Sequence, residues 1–309
     1  MRGGELMKKM IGIIIAFMML IYLFFPFKVS DDKIIYVDKG NIWSGTIETN
    51  KFKSILSKTF ITNAVFICAN IVDKEKIYQL KEGDNIYSLT YDKHKNVLYA
   101  ITENKSNGTY SIKAISNGKE NMIRNLSELN QNYFGLYYHN GRLYYWVDDK
   151  NTEKKFLEIF NLKNSGVERR IQVAVIGENV SGLGNRIIFS TKKGNKSNIY
   201  STMENGIVNL FIAGMDTPIK ITNTEMIYLD GVSFNNIYLY DLESAKRTVF
   251  GKNDGRAWYR NAFALSNKRY YVTEKKIHAY DIQEWYTIND LEGGMQILHV
   301  DGPVISSIQ

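Results

Sequence analysis

The sequence predicts an all-β protein, a β-propeller of four-stranded blades that follows one N-terminal transmembrane helix. Three observations lead to this prediction. Hairpin-like segments recur at intervals near 43 residues, long helical periodicity is absent after residue 28, and residues 10–27 carry no charge. The chain has 309 residues, of which 44% are hydrophobic, so it can bury a large core. Aromatic residues, which favour strands, make up 13%.

The apolar segment at residues 10–27, MIGIIIAFMMLIYLFFPF, predicts a membrane anchor. Its 18 residues would span about 27 Å as a helix, close to the hydrocarbon thickness of a bilayer. Lys8 and Lys9 precede it, which favours a cytoplasmic location for residues 1–9. A cleaved signal peptide is the alternative, but no small-x-small pattern ends the apolar run. We therefore expect a single-pass signal anchor and a propeller domain over residues 28–309, in the periplasm or outside the cell.

Six apolar triplets, each ending in an aromatic residue, mark the repeat. They are IIY at 34–36, VLY at 97–99, LYY at 143–145, IIF at 187–189, MIY at 226–228 and, with a leading arginine, RYY at 269–271. From Tyr99 onward the steps between them are 46, 44, 39 and 43 residues. A polar turn and a second strand follow each triplet, the last of these strands being predicted in KIHAYDIQ at 276–283. This period matches one four-stranded propeller blade.

A ring of blades explains the repetition, because each sheet then buries both faces against its neighbours. The ring must also be closed. We expect GGMQILHVDG at residues 293–302 to be an inner strand that completes a blade with the N-terminal hairpin at 33–47 and KFKSILS at 51–57. The six hairpins favour six blades. The longer interval between Tyr36 and Tyr99, including residues 60–80, leaves a degenerate seventh blade or an insertion possible.

One segment of the chain resembles the repeat of a known propeller family. LYYWVDD at residues 143–149 resembles the YWTD repeat of low-density-lipoprotein-receptor propellers, with Val147 in place of threonine. The segments at 34–50 and 226–244 are looser copies, and only Tyr145, Trp146 and Asp148 match well. The chain also resembles TolB-like propellers more broadly. This resemblance implies a six-bladed propeller in the bacterial envelope, but a fold alone does not assign a function.

Catalytic, metal-binding and cofactor-binding residues are not predicted. The four histidines, His94, His139, His278 and His299, form no recognised motif, although His299 would face the channel if its strand closed the ring. The acidic run at 148–153 is typical of a hairpin turn rather than a calcium site. Cys68 lies in an apolar segment and is expected to be an inert buried thiol. A hydrolase or lyase with a metal at the central channel stays open as the alternative, because its ligands would come from different blades.

A binding function has a more specific location. The segments at 121–132 and 251–261 are predicted to be loops between blades, on the face that also carries the turns between second and third strands. The second of them contains Arg256, Trp258, Tyr259 and Arg260. Tryptophan, tyrosine and arginine dominate interface hot spots. Packing of Trp258 between blades is the competing interpretation.

The nature of the partner follows from the charge. The formal net charge of +7 is spread thinly along the chain, without the clustered basic face that nucleic acid requires. Lys192, Lys193 and Lys196 would nevertheless make the binding face basic. We therefore expect a non-catalytic scaffold that binds a protein or glycan partner in the envelope and contacts the membrane through its N-terminal helix.

Overall fold

The computed structural model describes residues 26–28, 33–50, 69–126, 131–176, 179–193, 196–203, 207–230, 236–252, 257–265, 268–279, 281–290, 295–300 and 304–306. These residues form an all-β propeller, as the sequence predicts. Five regular four-stranded blades follow one another along the chain, and a further sheet of five strands contains segments from both ends of the described chain.

Each regular blade is an antiparallel meander whose first strand lies innermost. Blade 1 contains β5 (Asp84–Asp92), β6 (Val97–Asn104), β7 (Thr109–Ser116) and β8 (Lys119–Asn125). Blade 2 contains β9 (Gln131–His139), β10 (Arg142–Asp149), β11 (Lys154–Asn161) and β12 (Gly166–Val173). Blade 3 contains β13 (Val180–Leu183), β14 (Arg186–Lys193), β15 (Lys196–Thr202) and β16 (Val208–Ala213).

The last two regular blades continue this order. Blade 4 contains β17 (Met215–Lys220), β18 (Glu225–Asp230), β19 (Asn236–Asp241) and β20 (Lys246–Lys252). Blade 5 contains β21 (Ala257–Leu265), β22 (Lys268–Ala279), β23 (Asp281–Asp290) and β24 (Met295–Val300). The triplet at 269–271 lies in β22 as predicted, but its partner strand is misplaced, because residues 276–283 span the end of β22 and the start of β23.

The remaining sheet, here called the closing blade, joins the two ends of the described chain. It contains β1 (Pro26–Lys28), β2 (Ile34–Asp38), β3 (Asn41–Asn50), β4 (Ala69–Gln79) and β25 (Val304–Ser306). Innermost is β25, which pairs with β2 through Ile34–Ser306 and Tyr36–Val304. The inner strand β25 contacts both β21 and β5, and successive inner strands contact each other, so the six sheets form a closed ring.

Several expectations need correction here. Residues 295–300 form β24, the outermost strand of blade 5, and the closing strand is β25 instead. The segment at 60–80 supplies β4, the strand outside β3 in the closing blade, from residue 69 onward. The expected loop at 121–132 contains the end of β8 and the start of β9. Residues 51–57 and Cys68 lie outside the described residues.

The predicted anchor is described only at its end. Residues 1–25 lie outside the described part, and Pro26–Lys28 form a strand that pairs with Glu48–Asn50 of β3. The sheet therefore begins at residue 26, two residues before the expected boundary. Within the described residues, no helix has the length and apolar character needed to cross a membrane.

The core is divided into separate clusters, each lying between two neighbouring blades. Strand alternation explains this division, because successive side chains point to opposite faces of a blade. On β10, Tyr145 and Val147 pack towards blade 1, whereas Tyr144 and Trp146 pack towards blade 3. The indole of Trp146 is fully buried and meets the ring of Phe189 edge-on at 5.9 Å. The YWTD-like residues Tyr145 and Trp146 thus serve the packing between blades.

Hydroxyl groups on the inner strands fasten neighbouring blades near the ring axis. The Ser88 and Thr90 hydroxyls of β5 accept hydrogen bonds from the backbone N–H groups of Leu136 and Tyr138 at 2.8 and 2.9 Å. The Ser181 hydroxyl of β13 donates to the carbonyl of Pro218 at 3.2 Å. These bonds satisfy backbone groups on the free edges of the inner strands.

Two faces of the ring can be distinguished by their turns. The first face carries the turns between second and third strands together with the connections between blades; there Leu80 N–H donates to Gly40 O and Lys105 N–H to Gly83 O. The second face carries the turns between first and second strands and between third and fourth strands. There Leu162 N–H donates to Gly141 O, and Leu242 N–H donates to Thr224 O.

Candidate binding site

The inner strands begin at the first face, around the mouth of the central channel, and several are irregular there. In β5 the pairing passes from Ile86–Thr102 to Ser88–Ile101, which leaves Tyr87 in a bulge. In β21 it passes from Tyr259–Thr273 to Asn261–Val272, which leaves Arg260 in a bulge. Both are the fourth residue of their strand. β17 also shifts register, between Asp216 and Ile219. Bulges re-aim side chains and often accompany functional sites.

Tyr87 is the best described of these residues, and its side chain extends from the start of β5 over β6 and β7. It is 44% exposed, and its hydroxyl donates to Glu103 Oε2 at 2.7 Å. Tyr110 donates to the other carboxylate oxygen at 3.1 Å, and the two tyrosine rings are 5.7 Å apart. Partial burial and then the hydrogen bond to Glu103 raise the pKa of Tyr87. The pair presents aromatic rings and polar hydroxyl groups together, a combination that is enriched at protein interfaces.

The structure places three of the four predicted binding residues in one strand. Trp258, Tyr259 and Arg260 belong to β21, which corrects the expectation that residues 251–261 form a loop. Trp258 pairs with Glu274, and Tyr259 pairs with Thr273. Arg256 lies outside the described residues. Because β21 contacts β17 and β25, these three residues start an inner strand at the channel mouth.

Lysines surround this mouth on the first face, interspersed with carboxylates. The exposed charged residues of its described turns and connections include Lys39, Lys81, Glu82, Lys105, Lys150, Glu153 and Lys154. Lys150 is held by Asp148 at 2.5 Å, so part of the basic charge is neutralised. Lys192, Lys193 and Lys196 lie at the facing ends of β14 and β15. The face is therefore mildly basic.

An ion-pair cluster supports the connection between the closing blade and blade 1. Lys113 Nζ lies 2.9 Å from both Asp84 Oδ2 and Glu120 Oε2, and Lys81 also contacts Glu120. Burial by itself would raise the pKa of Glu120, but hydrogen bonds from Lys81, Lys113 and Tyr78 outweigh it and lower that pKa to about 2. The cluster ties the segment before β5, and hence the start of that inner strand, to the outer strands.

Residues for the alternative metal-dependent chemistry are not grouped in the described part of the chain. No three histidine, cysteine, aspartate or glutamate side chains come together within it. The inner-strand carboxylates there take part in local contacts: Asp84 binds Lys113, Asp92 accepts the N–H of His94 at 3.1 Å, and Asp216 accepts the N–H of Thr217 at 2.7 Å.

The histidines are dispersed over the ring. His94 lies in the exposed turn between β5 and β6, and His139 ends β9, where its ring lies 6.4 Å from that of Tyr137. His278 belongs to β22. His299 belongs to β24, the outermost strand of blade 5, so the expectation that its strand lines the channel is wrong.

Tyr87 was missed by the sequence reasoning, although a signal for the inner strands exists. A polar residue followed four positions later by leucine or isoleucine recurs in or beside the inner strands of all five regular blades. The pairs are Asn85 and Leu89, Asn132 and Leu136, Asn179 and Leu183, Thr217 and Ile221, and Asn261 and Leu265. The first pair marks the strand that carries Tyr87, and the last pair indicates a strand rather than a loop around residue 261.

Comparison with solved structures confirms the resemblance at the level of the fold. A chain of the nidogen/laminin complex matches with a TM-score of 0.55 at 9% identity, over 88% of this chain and 95% of that one. TolB from Acinetobacter baumannii matches with a TM-score of 0.54 at 11% identity, over 88% of this chain and 65% of that one. No protein-family model and no curated protein matches the sequence.

Proposed function

We propose that this protein is a membrane-tethered, extracytoplasmic propeller that binds a protein or glycan partner in the bacterial envelope without catalysing a reaction. The binding site is the first-face mouth of the channel, with Tyr87, Trp258, Tyr259, Arg260 and the neighbouring Arg256 as its centre. The observation that carries this proposal is the bulge at the fourth residue of two inner strands, which Tyr87 and Arg260 occupy.

The chemistry of these residues supports recognition of an extended surface. Tyrosine, tryptophan and arginine bury a large area at modest entropic cost and combine apolar contact with hydrogen bonding. The Glu103 carboxylate holds Tyr87 and Tyr110 in place through hydrogen bonds of 2.7 and 3.1 Å, so less conformational freedom is lost when a partner binds. The surrounding lysines favour a partner with acidic groups at its rim.

The comparisons give coarser support. A chain similar to this one comes from the nidogen/laminin complex. The protein in that structure is therefore bound to another protein. The similarity to TolB supports the propeller fold, and the envelope location stays an implication of the resemblance to TolB-like propellers. The uncharged stretch at residues 10–27 supports attachment to the membrane.

Photo-crosslinking in cells tests the proposal. A photoreactive amino acid replaces Tyr87 or, separately, Trp258 in the full-length chain, and Asn164 on the second face is the control position. We expect one discrete adduct shared by positions 87 and 258 and absent at 164. The adduct mass and its sensitivity to proteases or glycosidases then distinguish a protein from a glycan. Adducts equal at all three positions, or none at 87 and 258 in membrane-inserted protein, would refute the assigned site.

A further inference from the structure

The path of the chain into the ring indicates which face is turned towards the membrane. Strand β3 runs from Asn41 at the first face to Asn50 at the second, and β1 pairs with its last three residues. Pro26 pairs with Asn50, so the chain enters the sheet from the second face. Because the predicted anchor at 10–27 ends within β1, almost no linker separates a membrane span from this face.

Three exposed apolar side chains flank the connection between β15 and β16, on the same face at the opposite side of the ring. This connection lies in blade 3, which is three positions from the closing blade in either direction. Met203, Ile207 and Val208 are 43%, 59% and 38% exposed. The turn that joins third and fourth strands in blade 1 consists of Asn117 and Gly118 instead. A group of exposed apolar side chains can mark a site of protein or membrane interaction.

Basic side chains dominate the other described turns of the second face. The exposed basic residues in or next to these turns are Lys93, Lys95, Lys119, Lys163, Arg186, Lys246 and Arg247. Among the described residues at the same positions, Glu243 is an exposed carboxylate, and Glu120, Glu225 and Asp241 beside the turns are partly exposed. Asp92 is buried and accepts backbone N–H groups of its own turn, so it offsets little of the exposed charge. Exposed basic side chains therefore outnumber exposed carboxylates among the described residues of these turns.

We propose that the second face rests on an anionic lipid surface, with Met203, Ile207 and Val208 inserted among the headgroups. This inference rests on the proposed membrane anchoring. Apolar side chains that enter the interface and lysines or arginines that attract acidic lipids act together in peripheral membrane binding. The anchor and these three side chains hold opposite sides of the ring, so together they keep its face parallel to the membrane. The channel mouth with Tyr87 then points away from the membrane and is open to a partner.

The test uses the full-length chain with Cys68→Ser, reconstituted into vesicles of phosphatidylcholine with or without phosphatidylglycerol. An environment-sensitive fluorophore is attached at Ile207→Cys or, as the matched control, at Asn107→Cys on the first face. Spin-labelled lipids quench a fluorophore that enters the membrane interface. Because such side chains lie about 5–10 Å inside the headgroup boundary, we expect quenching at 207 to exceed that at 107 about twofold or more.

The lipid composition tests the electrostatic part. Quenching at 207 should be stronger with phosphatidylglycerol and should weaken in the Lys93→Gln/Lys95→Gln variant, whereas Lys105→Gln/Lys150→Gln on the first face should leave it unchanged. Equal quenching at 207 and 107 would overturn the inference, and quenching indifferent to phosphatidylglycerol would overturn its electrostatic part. Resistance of the chain to alkaline carbonate extraction is scored separately. Its loss would refute the membrane anchor itself, which distinguishes failure of the anchoring from failure of the docking.

Discussion

Replacing Glu158 with glutamine tests how charge stabilises the contact between blades 1 and 2. The Glu158 side chain is fully buried on β11. One carboxylate oxygen accepts hydrogen bonds from Arg124 of β8, in the neighbouring blade, and from Tyr145 at 2.6 Å. The other accepts from Arg170 Nε at 2.7 Å. Glu158→Gln keeps the shape of the side chain, so it removes the negative charge and one acceptor without opening a cavity.

The expected cost is at the lower end of the range for breaking a buried ion pair. Removing one partner of such a pair costs about 3–5 kcal/mol, because a charge stays buried without compensation. The Arg170 side chain is 39% exposed and can be rehydrated, whereas that of Arg124 is 16% exposed. We therefore expect a loss of about 3 kcal/mol in the free energy of unfolding, which corresponds to a decrease in Tm of about 5–10 °C for a domain of this size.

Urea unfolding of the detergent-solubilised full-length chain, followed by tryptophan fluorescence, measures this loss. Glu168→Gln is the matched control. Glu168 also accepts hydrogen bonds from an arginine, Arg142, at 2.8 Å, but its side chain is 35% exposed, so we expect less than about 1 kcal/mol. If Glu158→Gln costs no more than Glu168→Gln, the buried carboxylate does not stabilise the contact between the blades and the reasoning is refuted.

Three further predictions concern the ring and its closure. In Gly182→Ala the added Cβ would overlap the Tyr137 hydroxyl and lie 3.1 Å from two carbons of its ring, so we expect the free energy of unfolding in urea to fall by about 1–3 kcal/mol. In the control Gly166→Ala, contacts with the added Cβ begin at 3.6 Å, so the free energy of unfolding should change by less than about 0.5 kcal/mol. Equal effects of the two substitutions would contradict the close packing at Gly182. Deleting residues 304–309 removes the buried Ile305 and should cost at least about 2–5 kcal/mol by thermal unfolding, whereas deleting 307–309 should have little effect. Equal stability of the two shortened chains would show that β25 is dispensable for closure. Because the pKa of Glu120 is lowered from 4.5 to about 2, the contribution of its charge to stability is complete above pH 4.5 and disappears as the pH falls to about 2. Glu120→Gln should therefore flatten the pH dependence of Tm in that interval. An unchanged pH profile would show that other carboxylates control acid unfolding.

The repeating hairpins were predictable because strand alternation and turn chemistry are local. Apolar triplets such as 143–145 and the polar turns after them need only a few neighbouring residues to form a hairpin. Their recurrence near 43 residues then implies a ring, since each sheet needs a partner on both faces. The second strand of every blade was found in this way, and its residues form the cores between blades.

The closing strand could not be predicted because its identity depends on distant contacts. Residues 295–300 are more strand-like than Val304–Ser306, yet they pair with the outer edge of β23 instead of closing the ring. Three residues suffice for closure because β2 and the inner strands on either side already define their position. The same reason applies to Glu158, whose partners come from three other strands in two blades.

For the candidate site, composition and tertiary structure each decided a different part. The sequence by itself determined the hairpin repeat, the apolar N-terminal stretch and the cluster of arginine and aromatic residues at 256–260. Only the tertiary structure placed Trp258, Tyr259 and Arg260 on an inner strand, put Tyr87 in a bulge near the start of another, and gave Tyr87 its contact with Glu103. Local patterns specify how a segment pairs with its neighbour in sequence, whereas the ring decides which segments from separate blades meet at the channel.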